Sequence, residues 1–371
     1  MYAQPTLDNS AEQDAAYELI TAWIKNRSAP TFRLAGYAGT GKTTLTARRI
    51  IPFCDEQRIH YAVATFTGKA ASVLAAKGIG MAQTIHSLMY QRVRDAAGNE
   101  TWQRRSYLNC KLIIIDEASM VSGSIQDDLE SYGVPILYIG DNAQLPPVGK
   151  PGEDRNLMRD PDFQLTEIHR QAESSPIIRL ARAVRKGMRV LPQGTWGNDE
   201  VGRVSIAKGP LQNLLDYDVI LCARNVTRHD YNARKRALLG RKLLLEVDDQ
   251  VICLKNDNKT SLRNGSITRV TEIHYLGSEE ICASLIDEVS GDVYRRQMIL
   301  TSSFGQQPNK DDWFQTSALP MDYAYAITVH KFQGSQAKRV AYIDENLPKT
   351  ETWRLRYTGI TRAEQHVHIA V

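Results

Sequence analysis

The stretch Gly36-Tyr37-Ala38-Gly39-Thr40-Gly41-Lys42-Thr43 decides how the rest of the chain is read. It has the spacing G-x-x-x-x-G-K-[ST], follows a short apolar run at 31–35, and leads into a helix expected from about Lys42. Glycines let the backbone wrap until successive N–H groups face inward, and the following helix adds the positive end of its dipole. Such a cradle takes phosphate. Lys42 then bridges the β- and γ-phosphates of ATP, and the Thr43 hydroxyl holds Mg²⁺. Gly36, Gly39, Thr40, Gly41, Lys42, Thr43 and Thr44 form the nucleotide-binding set of this stretch.

Working outward, residues 61–65, 111–116 and 135–140 are further short apolar runs between helical stretches, the pattern of a parallel sheet covered on both faces. Residues 10–27 have helical apolar spacing, with Ser10 as N-cap and Gln13 three positions on, a capping box. Residues 1–150 therefore read as one α/β domain. The run at 112–115 ends in Asp116-Glu117, at the carboxyl edge where open sheets gather their active groups. Asp116 is placed to bind Mg²⁺ directly or through water, and Glu117 to orient or deprotonate an attacking water. In the loop after 135–140, Gln144 is in position to reach the γ-phosphate. Residues 88–93 and 101–107 flank the turn-rich 95–99, which predicts a β-hairpin insertion at about 88–107 with Trp102 near its tip.

The chain has 371 residues, more than one compact domain usually holds. Lys and Arg (46) exceed Asp and Glu (42) by only +4, so a polyanion must be held by a local surface. No apolar run is long enough for a membrane helix, and the polar, acidic N-terminus does not read as a signal peptide. The 5 cysteines are scattered without a C-x-x-C pair, which predicts free thiols and a cytoplasmic protein. A second α/β domain is expected over 151–245 and 321–371, split by a small all-β unit at 246–320 whose short strands alternate with Asn-Gly and Ser-Gly-Asp turns. Residues 228–242 form a strongly basic helix candidate, either part of a nucleic-acid footprint or a solvated face.

These motifs, in order, resemble superfamily 1 helicases, in particular the RecD/Dda-like branch of superfamily 1B. The resemblance rests on Gln13, GYAGTGKT (36–43), ATFTGKAA (64–71), TIHSL (84–88), IIIDEASM (113–120), YIGDNAQLPPVG (138–149), LTEIHRQ (165–171), YAITVHKFQGSQ (325–336) and YTGITRA (357–363). It implies two RecA-like domains, with the hairpin as a strand-separating pin and the all-β unit as a small barrel-like insertion in the second domain. It further implies that Gln13 reads the adenine edge, that Gln144 and Arg170 touch the γ-phosphate, and that Arg362 is an arginine finger from the second domain. The pattern is departed from at Phe332, where a small residue is common, and at Gln336, where a carboxylate is.

Thr65, Thr67, Lys69, Thr84, His86 and Ser87 suit contacts that position a nucleic-acid backbone without reading its sequence. Phe66 either stacks on a base or belongs to the core, and Trp102 either stacks on the last base pair or packs in the hairpin. Thr328, His330 and Lys331 offer a matching set from the second domain. The resulting expectation is an ATP-dependent helicase, functional as a monomer, that moves 5′ to 3′ on single-stranded DNA and opens forked or tailed duplexes, with replication or repair proteins as candidate partners. The alternative is a DNA-stimulated translocase that separates no strands.

Overall fold

The computed structural model describes residues 10–371 apart from 95–99, 148–155, 169–172, 199, 256, 258–259, 261, 263, 289–290, 306–315, 346 and 348–351. The chain divides into one compact unit of residues 1–66 and 73–178 and another of 67–72 and 179–371.

The first unit is built on a six-stranded sheet in the order β3-β2-β6-β7-β1-β8. Its strands are β1 (Thr31–Gly36), β2 (Tyr61–Thr65), β3 (Gln83–Thr84), β6 (Leu112–Asp116), β7 (Ile136–Gly140) and β8 (Phe163–Leu165), all paired in parallel. Every residue of β6 and β7 is buried, as strands covered on both faces require. Alternate residues feed opposite cores: Leu112, Ile114 and Leu137 pack with Ile20 and Trp23 of helix α1 (Ala11–Asn26), while Ile113, Ile115 and Tyr138 pack with Ile85 and Leu129. The sheet runs past residue 150, because β8 pairs with β1 at Leu34↔Phe163 and Gly36↔Leu165.

Between β3 and β6 the chain forms an antiparallel hairpin of β4 (Tyr90–Arg94) and β5 (Glu100–Arg104), with Arg92 opposite Trp102. The first strand starts later than its apolar run suggests. Residues 85–89 are helical because the Thr84 hydroxyl caps them, accepting from Ser87 N at 3.1 Å.

The second unit holds a six-stranded sheet in the order β17-β11-β18-β19-β10-β9. Its strands are β9 (Gly194–Asn198), β10 (Gly202–Ala207), β11 (Val219–Cys222), β17 (Ala326–Thr328), β18 (Ala337–Ile343) and β19 (Ala363–Ala370). Of these, β9 is antiparallel to its neighbour and exposed along its length. Between β11 and β17 lies a closed barrel of β12 (Gln250–Cys253), β13 (Ile267–Leu276), β14 (Glu280–Ile286), β15 (Val293–Leu300) and β16 (Leu319–Tyr323). Both α/β bodies and the inserted β unit are as the residue patterns predict.

The basic helix Asn225–Leu238 is neither a solvated face nor an open footprint, since most of its cations are used internally. Arg228 pairs with Asp322 of β16 at 2.8 Å, both nearly fully buried. Lys235 donates to the carbonyl of Tyr217 at 2.5 Å, and burial pushes its ammonium down to about 8. Arg236 reaches the carboxylate of the fully buried Asp249 through two bonds of 3.2 and 3.0 Å, and Tyr325 Oη donates to the same carboxylate at 2.9 Å. Asp249→Ala would take from Arg236 its carboxylate and from Tyr325 Oη its acceptor. It would leave a half-buried charge bonded only to neutral groups, an imbalance that costs about 3–5 kcal/mol at such sites. The full-length variant is expected to unfold at clearly lower denaturant; an unchanged transition would show that the network adds nothing.

Candidate functional site

The phosphate-loop candidates sit where β1 ends. Gly39 and Gly41 take φ of 83° and 75°, the left-handed region that a side chain disfavours. A Cβ on Gly36 would lie 2.6 Å from Thr40 Oγ1 and 3.1 Å from Leu165 Cβ, so the loop closes only around glycine. Lys42, at the start of helix α2 (Lys42–Leu45), donates through Nζ to the carbonyls of Gly36 at 2.6 Å and Tyr37 at 3.1 Å. Thr40 is buried and Thr44 exposed.

Gln13 joins α1 to this loop. Its Oε1 accepts from Ser10 N at 3.2 Å and its own N–H donates to Ser10 Oγ at 3.3 Å, completing the capping box. Its Nε2 donates to the carbonyls of Thr40 at 3.3 Å and Gly41 at 3.4 Å.

Asp116 ends β6 and Glu117 follows it. Thr43 Oγ1 donates to Asp116 Oδ2 at 3.5 Å, and Glu117 N donates to Asp116 Oδ1 at 2.9 Å. Glu117 has φ 55°, a left-handed conformation rare for a non-glycine and of the kind that stores strain at working sites. A buried carboxylate beside a threonine hydroxyl is the oxygen-donor pair a small hard cation takes, so these residues fit a divalent metal. Burial first, then the charge of Glu117, pushes the Asp116 carboxyl up to about 6, with Lys42 pulling the other way.

That shift has a sign. The fold disfavours the ionised form, so the carboxylate costs stability once the pH exceeds its unfolded value, and the whole cost is present above about 6. Asp116→Asn should therefore stabilise the nucleotide-free protein at pH 7.5, by roughly 2–3 kcal/mol, with the gain shrinking towards pH 4. Thermal melts of both proteins at the two pH values test this; a variant that is less stable at pH 7.5 refutes it.

Gln144 is set by the turn after β7. Asp141, fully buried, accepts from Ala143 N through Oδ1 at 2.9 Å, and its carbonyl accepts from Gln144 N at 3.1 Å. Gly140 must lack a side chain, because a Cβ there would meet Ser119 N at 2.9 Å. Lys42, Asp116 and Gln144 thus lie at or just beyond the carboxyl ends of β1, β6 and β7, neighbours in one parallel sheet.

Glu12 is a residue the sequence reading did not single out. Its carboxylate accepts from Thr166 N at 2.5 Å, Thr166 Oγ1 at 2.6 Å and Glu167 N at 2.7 Å. Burial pulls its carboxyl up, but the Thr166 hydroxyl and the two amides outweigh this and hold it below the ordinary range. It fastens α1 to the LTEIHRQ segment. The one available signal was an acid beside Gln13 in the first helical turn. Arg170, in that segment, lies outside the described residues.

Among the nucleic-acid candidates of the first unit, Thr65 is buried at the end of β2 and Phe66 is 39% exposed, so Phe66 is not a core residue. Thr84 and Ser87 bond each other through their hydroxyls at 2.8 Å, and the exposed His86 stacks on Tyr90 with centroids 4.3 Å apart. In the second unit Thr67 Oγ1 accepts from Ala70 N at 3.2 Å, Thr328 is buried at the end of β17, and Lys331 is exposed two residues after Val329, with His330 half-buried between them. Phe332 is buried. The side chains of Lys69 and Trp102 lie outside the described residues. Arg362, 4% exposed, donates to Thr358 O at 3.1 Å, Ser335 O at 3.3 Å and Thr361 Oγ1 at 3.2 Å. These acceptors are neutral, so its charge is not cancelled by them.

Residues 9–207 match the AAA domain family, and residues 323–370 match the UvrD-like helicase C-terminal domain. The chain is 25% identical to the ATP-dependent DNA helicase Pif1 of Bdellovibrio bacteriovorus, over 89% of this chain and 80% of that protein. It is also 25% identical to the ATP-dependent RecD2 DNA helicase of Deinococcus radiodurans, over 89% of this chain. With the ATP-dependent DNA helicase dda of Enterobacteria phage T4 it shares 30% identity over 53% of its length. The chain spans 45% of each of these last two proteins. Among solved structures, Bacteroides Pif1 bound to ssDNA superposes with a TM-score of 0.55 at 20% identity, covering 97% of this chain and 92% of that one. A structure of two coordinating Pif1 helicases on forked dsDNA gives 0.57 at 20% identity, covering 97% and 91%. At that identity the likeness speaks for the fold, two RecA-like bodies.

Proposed function

The chain belongs to the AAA domain family, as a superfamily 1B member of the Pif1/RecD/Dda type, and on that premise we propose that it is an ATP-dependent DNA helicase. It binds ATP, moves 5′ to 3′ along single-stranded DNA as a single chain, and separates tailed or forked duplexes. The observation that supports this most directly is the bond of Thr43 to Asp116, which joins the phosphate loop to the acidic pair at one sheet edge.

In this reading the amides of Gly39, Thr40 and Gly41 wrap the phosphates, Thr44 extends the contact, and Lys42 leaves its loop carbonyls for the β- and γ-phosphates. Thr43 and Asp116 would hold Mg²⁺, which when bound neutralises phosphate charge and helps orient the phosphoryl group for transfer. Glu117 orients the attacking water and takes its proton. Gln144 and Arg170 sense the γ-phosphate, Gln13 serves the adenine, and Arg362 offsets charge that grows during transfer. Thr65, Phe66, Thr84, His86 and Ser87 grip the strand from one body, and Thr67, Lys69, Thr328, His330 and Lys331 from the other. Alternating grip during turnover moves the DNA. The hairpin carrying Trp102 parts the duplex.

The experiment compares ATP turnover with and without single-stranded DNA, and strand displacement from 5′-tailed and 3′-tailed duplexes. Strong stimulation with displacement of the 5′-tailed substrate is expected. Stimulation without displacement of either substrate would favour a translocase that separates no strands, and no stimulation would refute the proposal.

A further inference from the structure

The first unit has a cavity of about 440 Å³ at the root of the hairpin, away from the nucleotide loop. Its walls come from the start of β2, the helix Ile85–Met89, the first hairpin strand and the segment 105–110 that leads from the second strand into β6. Tyr61 opens β2 and Cys110 stands just before β6, so the cavity lies by the amino ends of these strands, whereas Lys42 and Asp116 lie at or beyond carboxyl ends.

Its chemistry is selective. Among the described residues that line it there is no carboxylate, while His60 and Arg105 supply nitrogen groups that can donate protons. Gln83, Gln91 and Asn109 bring amides, each both donor and acceptor. Tyr107, on the rim, is 74% exposed, and Leu88 supplies a buried apolar wall. An exposed aromatic ring at the mouth of a cavity offers a flat stacking face. Arg105 is positioned rather than loose: its Nη1 donates to Gln91 Oε1 at 3.0 Å and its N–H to Met89 O at 2.8 Å. A stacking ring, amide groups for base edges and a guanidinium held by a neutral amide oxygen are features that recognise an unpaired nucleotide. The volume falls within the range of small-ligand pockets, about 300–1,000 Å³.

We propose that this cavity binds one unpaired nucleotide, its base stacked on Tyr107 and its phosphate on Arg105 and His60. The nucleotide comes either from the strand displaced at the hairpin or from free nucleoside monophosphate. The displaced-strand form rests on the helicase reading above, since the cavity adjoins the hairpin assigned to strand separation; binding itself does not depend on turnover.

The test uses the full chain without ATP and 2-aminopurine as a fluorescent base. The probe is placed in the non-tailed strand arm of a fork, in the tailed strand, or supplied as free 2-aminopurine nucleoside monophosphate. Quenching is expected for the fork arm, and Tyr107→Ala and Asn109→Ala should each weaken the quenching at least about 5-fold in midpoint concentration. Quenching of the free monophosphate with the same dependence on Tyr107 supports the cavity with the free nucleotide as its source. Quenching confined to the tailed strand, or unaffected by either variant, overturns the proposal, as does the absence of any quenching. DNA-stimulated ATP turnover is measured beside it. Turnover with no Tyr107-dependent quenching removes only the cavity, and quenching without turnover removes only the helicase reading.

Discussion

Lys42→Ala is expected to reduce DNA-stimulated ATP turnover by at least about 10²–10³-fold, the range for removing even one neutral preorganised donor from a transition-state site. Strand displacement should vanish with it. Single-stranded DNA binding should change by less than roughly 2-fold, because Lys42 bonds to carbonyls of its own loop and, among the described residues, to none of the candidate strand contacts. The folded chain should tolerate the change. Lys42 gives up only hydrogen bonds to Gly36 O and Tyr37 O, in a partly exposed loop, and such bonds contribute about 0.5–1.5 kcal/mol each. A Lys42→Ala protein that still hydrolyses ATP at a rate near that of the parent would remove the phosphate-loop assignment. One that loses DNA binding as strongly as turnover would instead place the lysine in the structure of the loop. Measuring nucleotide affinity, turnover, DNA affinity and thermal midpoint on one preparation separates these outcomes.

Much of the fold was legible because its signals are local. Five consecutive apolar or strand-ending residues in 112–116 and in 136–140 predict strands buried on both faces, and both are buried throughout. The glycines at 39 and 41 announce positive φ, which they adopt. The Ser10–Gln13 box spans three residues and forms as spelled. Features whose cause is distant were not legible. The cations at 228 and 236 read as a surface stretch because their partners, Asp322 in barrel strand β16 and Asp249 just before β12, carry no mark in the sequence of being buried. Strand β9, Gly194–Asn198, holds two glycines and one aromatic, and is extended because it pairs with β10 rather than through its own propensity. Strand β8 has only three residues, and its place beside β1 is set by the sheet.

The same distinction applies to the candidate site. Lys42, Thr43, Asp116 and Glu117 could be named from spacing because each sits one or two residues from the end of a recognisable strand or glycine turn. Glu12 could not, since its work is to hold Thr166 and Glu167, more than 150 residues away. An acid in a first helical turn is ordinarily explained by the helix dipole alone.

Arg362→Ala should lower DNA-stimulated turnover about 10³-fold or more, the effect of an arginine that stabilises phosphoryl transfer, with nucleotide affinity nearly unchanged. The local structure makes this residue suited to such work. Its guanidinium is held by Thr358 O, Ser335 O and Thr361 Oγ1, which fix its direction without neutralising it. A purely structural buried arginine is more often paired with a carboxylate, as Arg228 and Arg236 are. Arg362→Lys separates charge from geometry. A lysine keeps the positive charge but cannot reproduce a planar fork bonded from three nitrogens, so it should recover little of the lost rate. Recovery to near the parent rate would mean that a point charge suffices. A loss of thermal stability in both variants, with turnover per folded molecule unchanged, would make Arg362 a packing residue of the second unit and leave phosphoryl transfer without its second-body cation.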